Sequence, residues 1–237
     1  MRVTSLFTKC PRPGRVKTRL LPVLAPAAAA DLATAMLLDT AERLAAEPDL
    51  GPELALAEPD EAPWFEEHVP WLTERVPQAG SGLAERLAGH FERRLAAGAA
   101  SVVVLGSDQP LVPLARYAEA HAALEAGADV VLGPDVGGGY YLVGLRAPRP
   151  ELFLEVAMSS GDMCTRTVAL ARDAQLRVEL LPTELDVDTP EDLERLGQRV
   201  EADPAAAEAR APRTLRWLNQ SRARSAGPGH PRRRVSE

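Results

Sequence analysis

The chain has 237 residues, 46% of them hydrophobic, and a formal net charge of −7 at neutral pH. This length and hydrophobic content suffice for one large folded domain. No apolar run approaches the about 20 residues of a membrane span, and the first residues do not read as a secretory signal, which excludes the membrane classes. Cys10 and Cys164 lie too far apart in sequence for a paired zinc motif. We therefore expect a cytoplasmic protein.

The charge is unevenly distributed. Residues 201–237 carry eight arginines and four acidic residues, a local +4, so residues 1–200 sum to −11. An acidic body argues against nucleic-acid binding, which needs a basic face. Residues 9–19 are nevertheless basic and contain no acidic residue. A basic loop on an acidic protein indicates one small anion site.

The predicted elements alternate between strands and helices. In chain order, the pattern predicts a strand at 3–7, a helix at 27–46, a strand at 53–57, a helix at 83–97, a strand at 99–105, a helix at 112–126, strands at 129–132 and 140–145, a helix at 164–174, a strand at 176–181 and a helix from 190 to about 200. Residues 64–71 stay unassigned. This alternation predicts an α/β fold with a mostly parallel, Rossmann-like sheet covered by helices on both faces.

The carboxyl-terminal part has a different composition. Thr189 can cap a helix whose first turn contains Pro190, and that helix closes a predicted domain at residues 1–200. Beyond it, Ala, Pro, Arg, Ser and Gly dominate, so we expect residues 201–237 to be mostly disordered, with at most a short helix at 213–219. A chain ending after Val200 is then expected to keep its stability.

The loop at residues 11–20 follows the first predicted strand and precedes the first predicted helix. At that position an α/β sheet exposes backbone N–H groups to a phosphate. Arg19 would add a fork that matches phosphate oxygens, and Lys17 a compact charge near a leaving diphosphate. The alternative is a solvated basic loop. Its place at the carboxyl end of the first strand favours the phosphate site.

Acidic residues follow two later elements. Asp108 comes just after the strand at 99–105 and is well placed to hold a divalent cation, although a turn or a helix cap explains it equally well. Asp186 and Asp188 alternate with Val187 and point the same way if the chain is extended. They could complete a metal site, or they could simply face the dipole of the following helix.

Two further segments could contact a substrate. The glycines at 137–139 let the backbone approach a ligand or adopt positive φ, but such a run is more often only a turn. Ser159 and Ser160 could contact a substrate, or they could begin the helix that follows.

Five segments, in this order, resemble a family of uncharacterised GT-A-like transferases (DUF2064-type), also labelled cofactor-guanylyltransferase-like glycosyltransferases, within the nucleotide-diphospho-sugar transferase superfamily. They are FTKCPRPGRVKTRL, QAGSGLAERL, GSDQP, GPDVGGGYYLVGL and DVDTPEDL, and they span about residues 3–197. The resemblance implies a GT-A or nucleotidyltransferase fold with an antiparallel strand near Tyr140. It also implies a nucleotide over the first loop and Mg²⁺ or Mn²⁺ at Asp108.

The resemblance also assigns residues to roles. The metal ligands would be Asp108 and Asp188, with Asp186 behind them, and the catalytic residues Lys17, Arg19 and Asp108. The nucleotide would contact Lys9, Pro13, Gly14, Arg15, Lys17, Arg19, Arg86 and Asp108, and the acceptor Gly138, Gly139, Tyr140, Ser159 and Ser160.

Three positions depart from the family pattern: Gly137 stands where an acid is usual, Leu111 where an acidic residue is frequent, and Met158 where a tryptophan is frequent. We expect a metal-dependent transferase that uses a nucleoside triphosphate or a nucleotide sugar, hence a nucleotidyltransferase or a glycosyltransferase. The alternative is a non-catalytic nucleotide-binding protein with a degenerate acceptor site. The expected partners are a nucleotide and a small-molecule acceptor, with a homodimer left open, and neither nucleic acid nor a membrane.

Overall fold

The computed structural model describes residues 1–158 and 160–225. The strands are β1 (Arg2–Thr8), β2 (Pro52–Leu56), β3 (Arg75–Pro77), β4 (Ser101–Leu105), β5 (Val130–Pro134), β6 (Tyr140–Leu145) and β7 (Val178–Leu180). The helices are α1 (Pro26–Ala45), α2 (Ala62–His68), α3 (Leu83–Ala96), α4 (Ala115–Glu125), α5 (Glu151–Leu154), α6 (Met163–Asp173), α7 (Pro190–Ala202), α8 (Pro204–Arg210) and α9 (Pro212–Ser225). The unassigned segment at 64–71 holds most of α2.

Seven strands form one sheet in the order β3-β2-β1-β4-β6-β5-β7. Neighbouring strands are parallel except β6, which is antiparallel to both β4 and β5. The α/β fold and the antiparallel strand at Tyr140 are therefore confirmed. Because β1 to β4 are mutually parallel, the loops that follow them all leave the same edge of the sheet. The antiparallel β6 begins at that same edge, so Tyr140 lies there too.

Side chains of β4 alternate between two apolar layers, one on each face of the sheet. Val103 and Leu105 pack into a cluster with α1, α2 and α4. Val102 and Val104 pack into a second cluster with α3, α5 and α6, which contains the stacked rings of Phe91 and Phe153, 5.4 Å apart. All five β4 residues are buried, as expected of a central parallel strand covered by helices.

A third buried cluster joins the carboxyl-terminal helices to the rest of the protein. It contains Leu20 of the first loop, Val187, Ala207 of α8 and Leu218 of α9, together with residues of α1 and α7. Residues 204–225, expected to be mostly disordered, therefore form two packed helices. The few apolar side chains of α8 and α9 are spaced so that they are buried against α1 and α7. The average composition of the segment does not reveal this spacing. The rest of that expectation, for residues 226–237, lies outside the described residues.

A buried carboxylate fixes the start of α9. The Asp39 side chain accepts hydrogen bonds from the backbone N–H groups of Arg213 (3.1 Å) and Thr214 (2.9 Å) and from the Thr214 hydroxyl (2.8 Å). The two backbone N–H groups belong to the first turn of α9, where N–H groups have no partner within the helix. Asp39 on α1 thus serves as a helix cap supplied from elsewhere in the sequence.

Cys10 and Cys164 are free and buried. No helix in residues 1–158 or 160–225 is sufficiently long and apolar to span a bilayer.

Candidate functional site

A cavity of about 580 Å³ opens at the sheet edge where β1, β2 and β4 end. Its wall combines the first loop, the start of α3 and the start of β6. Eight of the predicted site residues line it: Lys9, Arg15, Lys17, Arg19, Arg86, Asp108, Tyr140 and Asp188. A concave site with a few convergent charged groups is typical of ligand binding in α/β proteins.

The first loop turns Lys17 into the protein. Its backbone has φ of 47°, in the left-handed region that non-glycine residues rarely adopt. The conformation is held because Leu20 N–H donates to the Lys17 carbonyl (2.9 Å) and the Leu20 side chain is fully buried in the third cluster. As a result the Lys17 side chain is only 3% exposed. Lys17 is therefore not a solvated surface residue, whereas Arg15 and Arg19 are exposed.

Two aspartates meet at the Lys17 ammonium. Its Nζ lies 2.9 Å from Asp108 Oδ2 and 3.7 Å from Asp188 Oδ1, while Arg19 Nη1 donates to Asp188 Oδ2 at 2.8 Å. Burial alone would lower the pKa of Lys17, but Asp108, Asp186 and Asp188 more than offset it, so its pKa is raised and the ammonium stays charged. The loop after β4 and the segment before α7 are thus brought together around one cation.

Asp186 lies behind this pair. Its Oδ1 accepts a hydrogen bond from Gln109 Nε2 (3.0 Å), and the adjacent Val187 N–H donates to the Asp108 carbonyl (3.0 Å). Burial and then the charge of Asp108 raise the pKa of Asp186 to about 7, against the opposing effect of Lys17. The raised pKa of Asp186 thus reports its burial first and the neighbouring carboxylate second.

Neither Asp108 nor Asp188 caps a helix. The helix after Asp108 begins only at Ala115. Thr189 caps α7 as expected, in a reciprocal pair with Asp192: Asp192 N–H donates to Thr189 Oγ1 (3.3 Å) and Thr189 N–H to Asp192 Oδ2 (3.0 Å). Neither aspartate therefore caps a helix, although Asp188, directly before Thr189, lies at the amino terminus of α7 as the dipole alternative expects. Among residues 1–158 and 160–225, no group of three or more His, Cys, Asp or Glu side chains is arranged to hold a metal ion.

The remaining basic residues differ in their partners. Arg15 forms an ion pair with Glu58 (3.6 Å) and Arg86 Nε donates to the Gly80 carbonyl (3.1 Å). Pro13 and Gly14 form the tip of the loop and do not line the cavity. The contacts of all four residues with a nucleotide remain predictions.

The predicted acceptor residues are spread over two places. Tyr140 lines the cavity, and burial raises the pKa of its hydroxyl. Gly138 and Gly139 lie in the preceding turn, where Gly139 N–H donates to Asp135 Oδ1 (3.1 Å). The Ser160 hydroxyl donates to the Ala157 carbonyl (2.8 Å), and the following helix begins at Met163, so Ser160 does not begin it. Ser159 lies outside the described residues.

Gly138 has a structural reason to be glycine. Its φ is +88°, and a Cβ there would lie 1.8 Å from the Gly161 carbonyl oxygen. We predict that Gly138→Ala lowers the free energy of unfolding by about 2 kcal/mol or more, because strain and a backbone clash add. Chemical denaturation would measure it, with Gly161→Ala, where a Cβ meets only the Gly137 carbonyl oxygen at 3.9 Å, as the matched control. Equal stability of the two variants would contradict the prediction.

Two residues at the site had no role assigned from sequence. The Glu61 carboxylate is buried and accepts the Cys10 N–H (2.7 Å), which ties the first loop to the segment before α2. Gln78 lines the cavity. The sequence offered a signal for Gln78, because this residue begins one of the five segments that resemble the family. It offered no signal for Glu61, which lies in a weakly patterned region.

The family model described as "Uncharacterized protein conserved in bacteria (DUF2064)" matches residues 40–160. The chain belongs to the DUF2064 family. The resemblance inferred from the five segments is confirmed. Lys17 and Asp188 both lie outside the stretch that the family model matches. The comparison with curated protein sequences gave no match.

One solved structure extends the similarity to almost the whole chain, and others share its fold. A candidate nucleotide-diphospho-sugar transferase from Desulfovibrio desulfuricans G20 is 30% identical, with a TM-score of 0.82, and the alignment covers 94% of this chain and 96% of that one. A cytidylyltransferase from Leptospira borgpetersenii serovar Hardjo-bovis is 14% identical (TM-score 0.55), covering 94% and 96%. A CMP:2-keto-3-deoxy-manno-octonic acid synthetase complexed with CTP is 13% identical (TM-score 0.52), covering 85% and 99%. The last two, at this low identity, show a shared fold alone, and all three proteins are named as transferases or synthetases.

Proposed function

We propose that this protein is a transferase that binds the phosphates of a nucleoside triphosphate or a nucleotide sugar in the 580 Å³ cavity. The observation that carries the proposal is the buried Lys17 ammonium in the cavity wall, beside Asp108 and Asp188. A solvated loop would not bury a lysine in an unfavourable backbone conformation. Strain of this kind is typical of functional sites.

The chemistry of the loop suits a diphosphate. A buried ammonium acts through a lower effective dielectric than a surface one, so its attraction to phosphate oxygens is stronger. Arg19, 63% exposed, can turn its guanidinium from Asp188 toward a ligand. Both cations are positioned before any substrate arrives, so transfer would be helped by electrostatic stabilisation of the leaving phosphate and by orientation.

The residues present fit a divalent cation. Asp108 and Asp188 both reach one cationic atom, and Mg²⁺ is usually held by one or two carboxylates together with substrate phosphates and water. Bound Mg²⁺ or Mn²⁺ would neutralise phosphate charge there. Asp186 supports the pair from behind and takes no direct place in the cavity wall. The acceptor would approach from the Tyr140 side of the cavity.

The test is a ligand panel on the full chain. Triphosphates and nucleotide sugars, each with Mg²⁺ or Mn²⁺, should raise the melting temperature if one is a substrate. Pyrophosphate release with an added acceptor would identify nucleotidyl transfer, and nucleoside diphosphate release would identify glycosyl transfer. Binding without either release would support the non-catalytic alternative, and protection by no nucleotide would contradict the proposal.

A pair of isosteric variants tests the shared metal site. Asp108→Asn and Asp188→Asn should each weaken the Mg²⁺ or Mn²⁺ dependence of nucleotide binding by about tenfold or more, and the double variant should lose little beyond the worse single one. Non-additivity is expected when two residues serve one ion. Metal titrations with nucleotide present would measure it, with the exposed Asp31→Asn as control. Wild-type metal response in both single variants would refute the shared site.

A further inference from the structure

The loop that carries Asp108 depends on side chains from elsewhere for its hydrogen bonds. It runs over residues 106–114, between the end of β4 and the start of α4. Pro110 and Pro113 have no N–H to donate, so the loop lacks two of the backbone donors that would hold it to itself. Its carbonyl groups therefore need donors from other parts of the protein.

Two arginines supply those donors. Arg43 of α1 donates from Nη2 to the Pro110 carbonyl (3.1 Å) and from Nη1 to the Val112 carbonyl (2.7 Å). Arg210, the last residue of α8, donates from Nη1 to the Leu111 carbonyl between them (3.2 Å). Three consecutive carbonyl groups of the loop are thus held by two guanidinium groups, one from each of two helices.

The two guanidinium groups lie close together. Burial, and to a smaller extent the charge of Arg210, lowers the pKa of Arg43. The loop carbonyls that both groups bind are neutral and offset the repulsion between the two cations less than carboxylates would. The Leu111 side chain also packs against the third cluster, which contains Ala207 of α8. The loop is therefore held by α1 and α8 together, at a cost in like-charge repulsion.

The position of Asp108 follows from the position of this loop. The three bound carbonyls begin two residues after Asp108, and on the other side Val187 N–H donates to the Asp108 carbonyl (3.0 Å). The Asp108 side chain is 39% exposed and meets Lys17 at its tip, so few other contacts fix it. A shift of the loop would therefore move the Asp108 carboxylate relative to Lys17 and Asp188.

We propose that Arg43 and Arg210 are positioning residues that hold Asp108 beside Asp188, so that both carboxylates can serve one divalent cation. The inference rests on the proposed function, because it takes Asp108 as a metal ligand. It also gives α8 a part in the site, since Arg210 is supplied by that helix. Groups that orient metal ligands typically change metal affinity by about 10–100-fold when they are removed.

The test measures how much a metal ion contributes to phosphate binding. Titration calorimetry on the full chain gives the affinity for inorganic triphosphate, or for the nucleoside triphosphate of the panel that protects best, once with Mn²⁺ and once with EDTA. The ratio of the two affinities is the metal contribution. Binding of Mn²⁺ to the free probe is the same for every variant, so it cancels when variants are compared.

Removal of the Arg210 guanidinium should affect this ratio selectively. Arg210→Met should lower the ratio by about tenfold and leave the affinity in EDTA within about twofold of the wild type, because Lys17 is untouched. The matched control is Arg216→Met, which removes the same charge from an exposed position on α9. This control should keep both values.

Lysine variants separate positioning from packing. Arg210 makes one hydrogen bond to the loop, which a lysine can also make, so Arg210→Lys should keep most of the wild-type ratio. Arg43 bridges two carbonyls with its planar fork, which a lysine cannot reproduce. Arg43→Lys should therefore lower the ratio by about tenfold although the charge is kept.

The outcomes separate this inference from the function on which it rests. If neither probe binds the wild type, the proposed function fails and the inference fails with it. If the probe binds equally with Mn²⁺ and with EDTA, the shared metal site and the inference fail while the phosphate site stands. If the metal contributes in the wild type but Arg210→Met keeps the ratio, or loses affinity equally under both conditions, positioning by the arginines is refuted. Should Arg43→Lys not fold, the two Arg210 variants decide the question.

Discussion

A chain that ends after Val200 is expected to be strongly destabilised, with a melting temperature lowered by roughly 6 °C or more. The deletion removes α8 and α9, including the buried Ala207 and Leu218, and uncovers Leu20 and Met36 beneath them. Burying one leucine contributes about 1.5–3 kcal/mol, so we expect the loss of these buried contacts to lower the free energy of unfolding by at least about 3 kcal/mol. For a protein of this size that corresponds to roughly 6–12 °C.

The control is a chain that ends after Ser225. It keeps both helices and all contacts of Asp39, so the difference between the two truncated chains isolates the contribution of α8 and α9. The deletion after Val200 should also weaken nucleotide binding, because Leu20 and Val187 of the same cluster adjoin the segments that carry Lys17 and Asp188. Unchanged stability after removal of residues 201–237 would contradict the packing of α8 and α9 against α1 and α7.

The tail illustrates what composition cannot detect. Residues 201–237 are rich in Arg, Ala and Pro, a composition that favours disorder. Pro204 and Pro212 in fact begin α8 and α9, a position that tolerates proline because its missing N–H has no partner there. The partner of α9, Asp39, lies about 170 residues earlier in the chain. A contact of that range has no local signal.

The site was partly predictable because topology decides where loops meet. Strand and helix periodicity sufficed to predict a mostly parallel sheet, and such a sheet brings the first loop and Asp108 to one edge. That Asp188 joins them followed from the family resemblance. The sequence had no signal that Lys17 turns inward with positive φ, because that conformation depends on a local hydrogen bond from Leu20 N–H and on the burial of Leu20 and Val16 in tertiary clusters. Nor did it indicate which of the basic residues is buried.

Replacement of Lys17 by methionine is expected to weaken nucleotide binding by about 100-fold. Methionine keeps the length and apolar stem of lysine but removes the ammonium, and a hydrogen bond between charged groups contributes about 1.5–3 kcal/mol. The loss also removes the cation between Asp108 and Asp188, so their mutual repulsion should lower the free energy of unfolding at neutral pH. Lys17→Gly also removes the ammonium, but glycine adopts the left-handed backbone conformation without strain. Comparison of the two variants therefore separates the effect of backbone strain from the effect of the lost charge.

Three variants therefore give a specific pattern in titration calorimetry and thermal unfolding. Lys17→Met and Lys17→Gly should both lose nucleotide affinity, because neither carries a charge, while Lys17→Gly should avoid the strain that methionine retains. Lys9→Met removes another lysine of the same cavity wall, an exposed one, so it should weaken binding by much less, since an exposed ammonium is screened by solvent. Equal losses at Lys9 and Lys17 would mean that the loop attracts anions only through its overall charge. Wild-type affinity in Lys17→Met would remove the main support for a nucleotide site, because the buried ammonium is the group that distinguishes this loop from a solvated one.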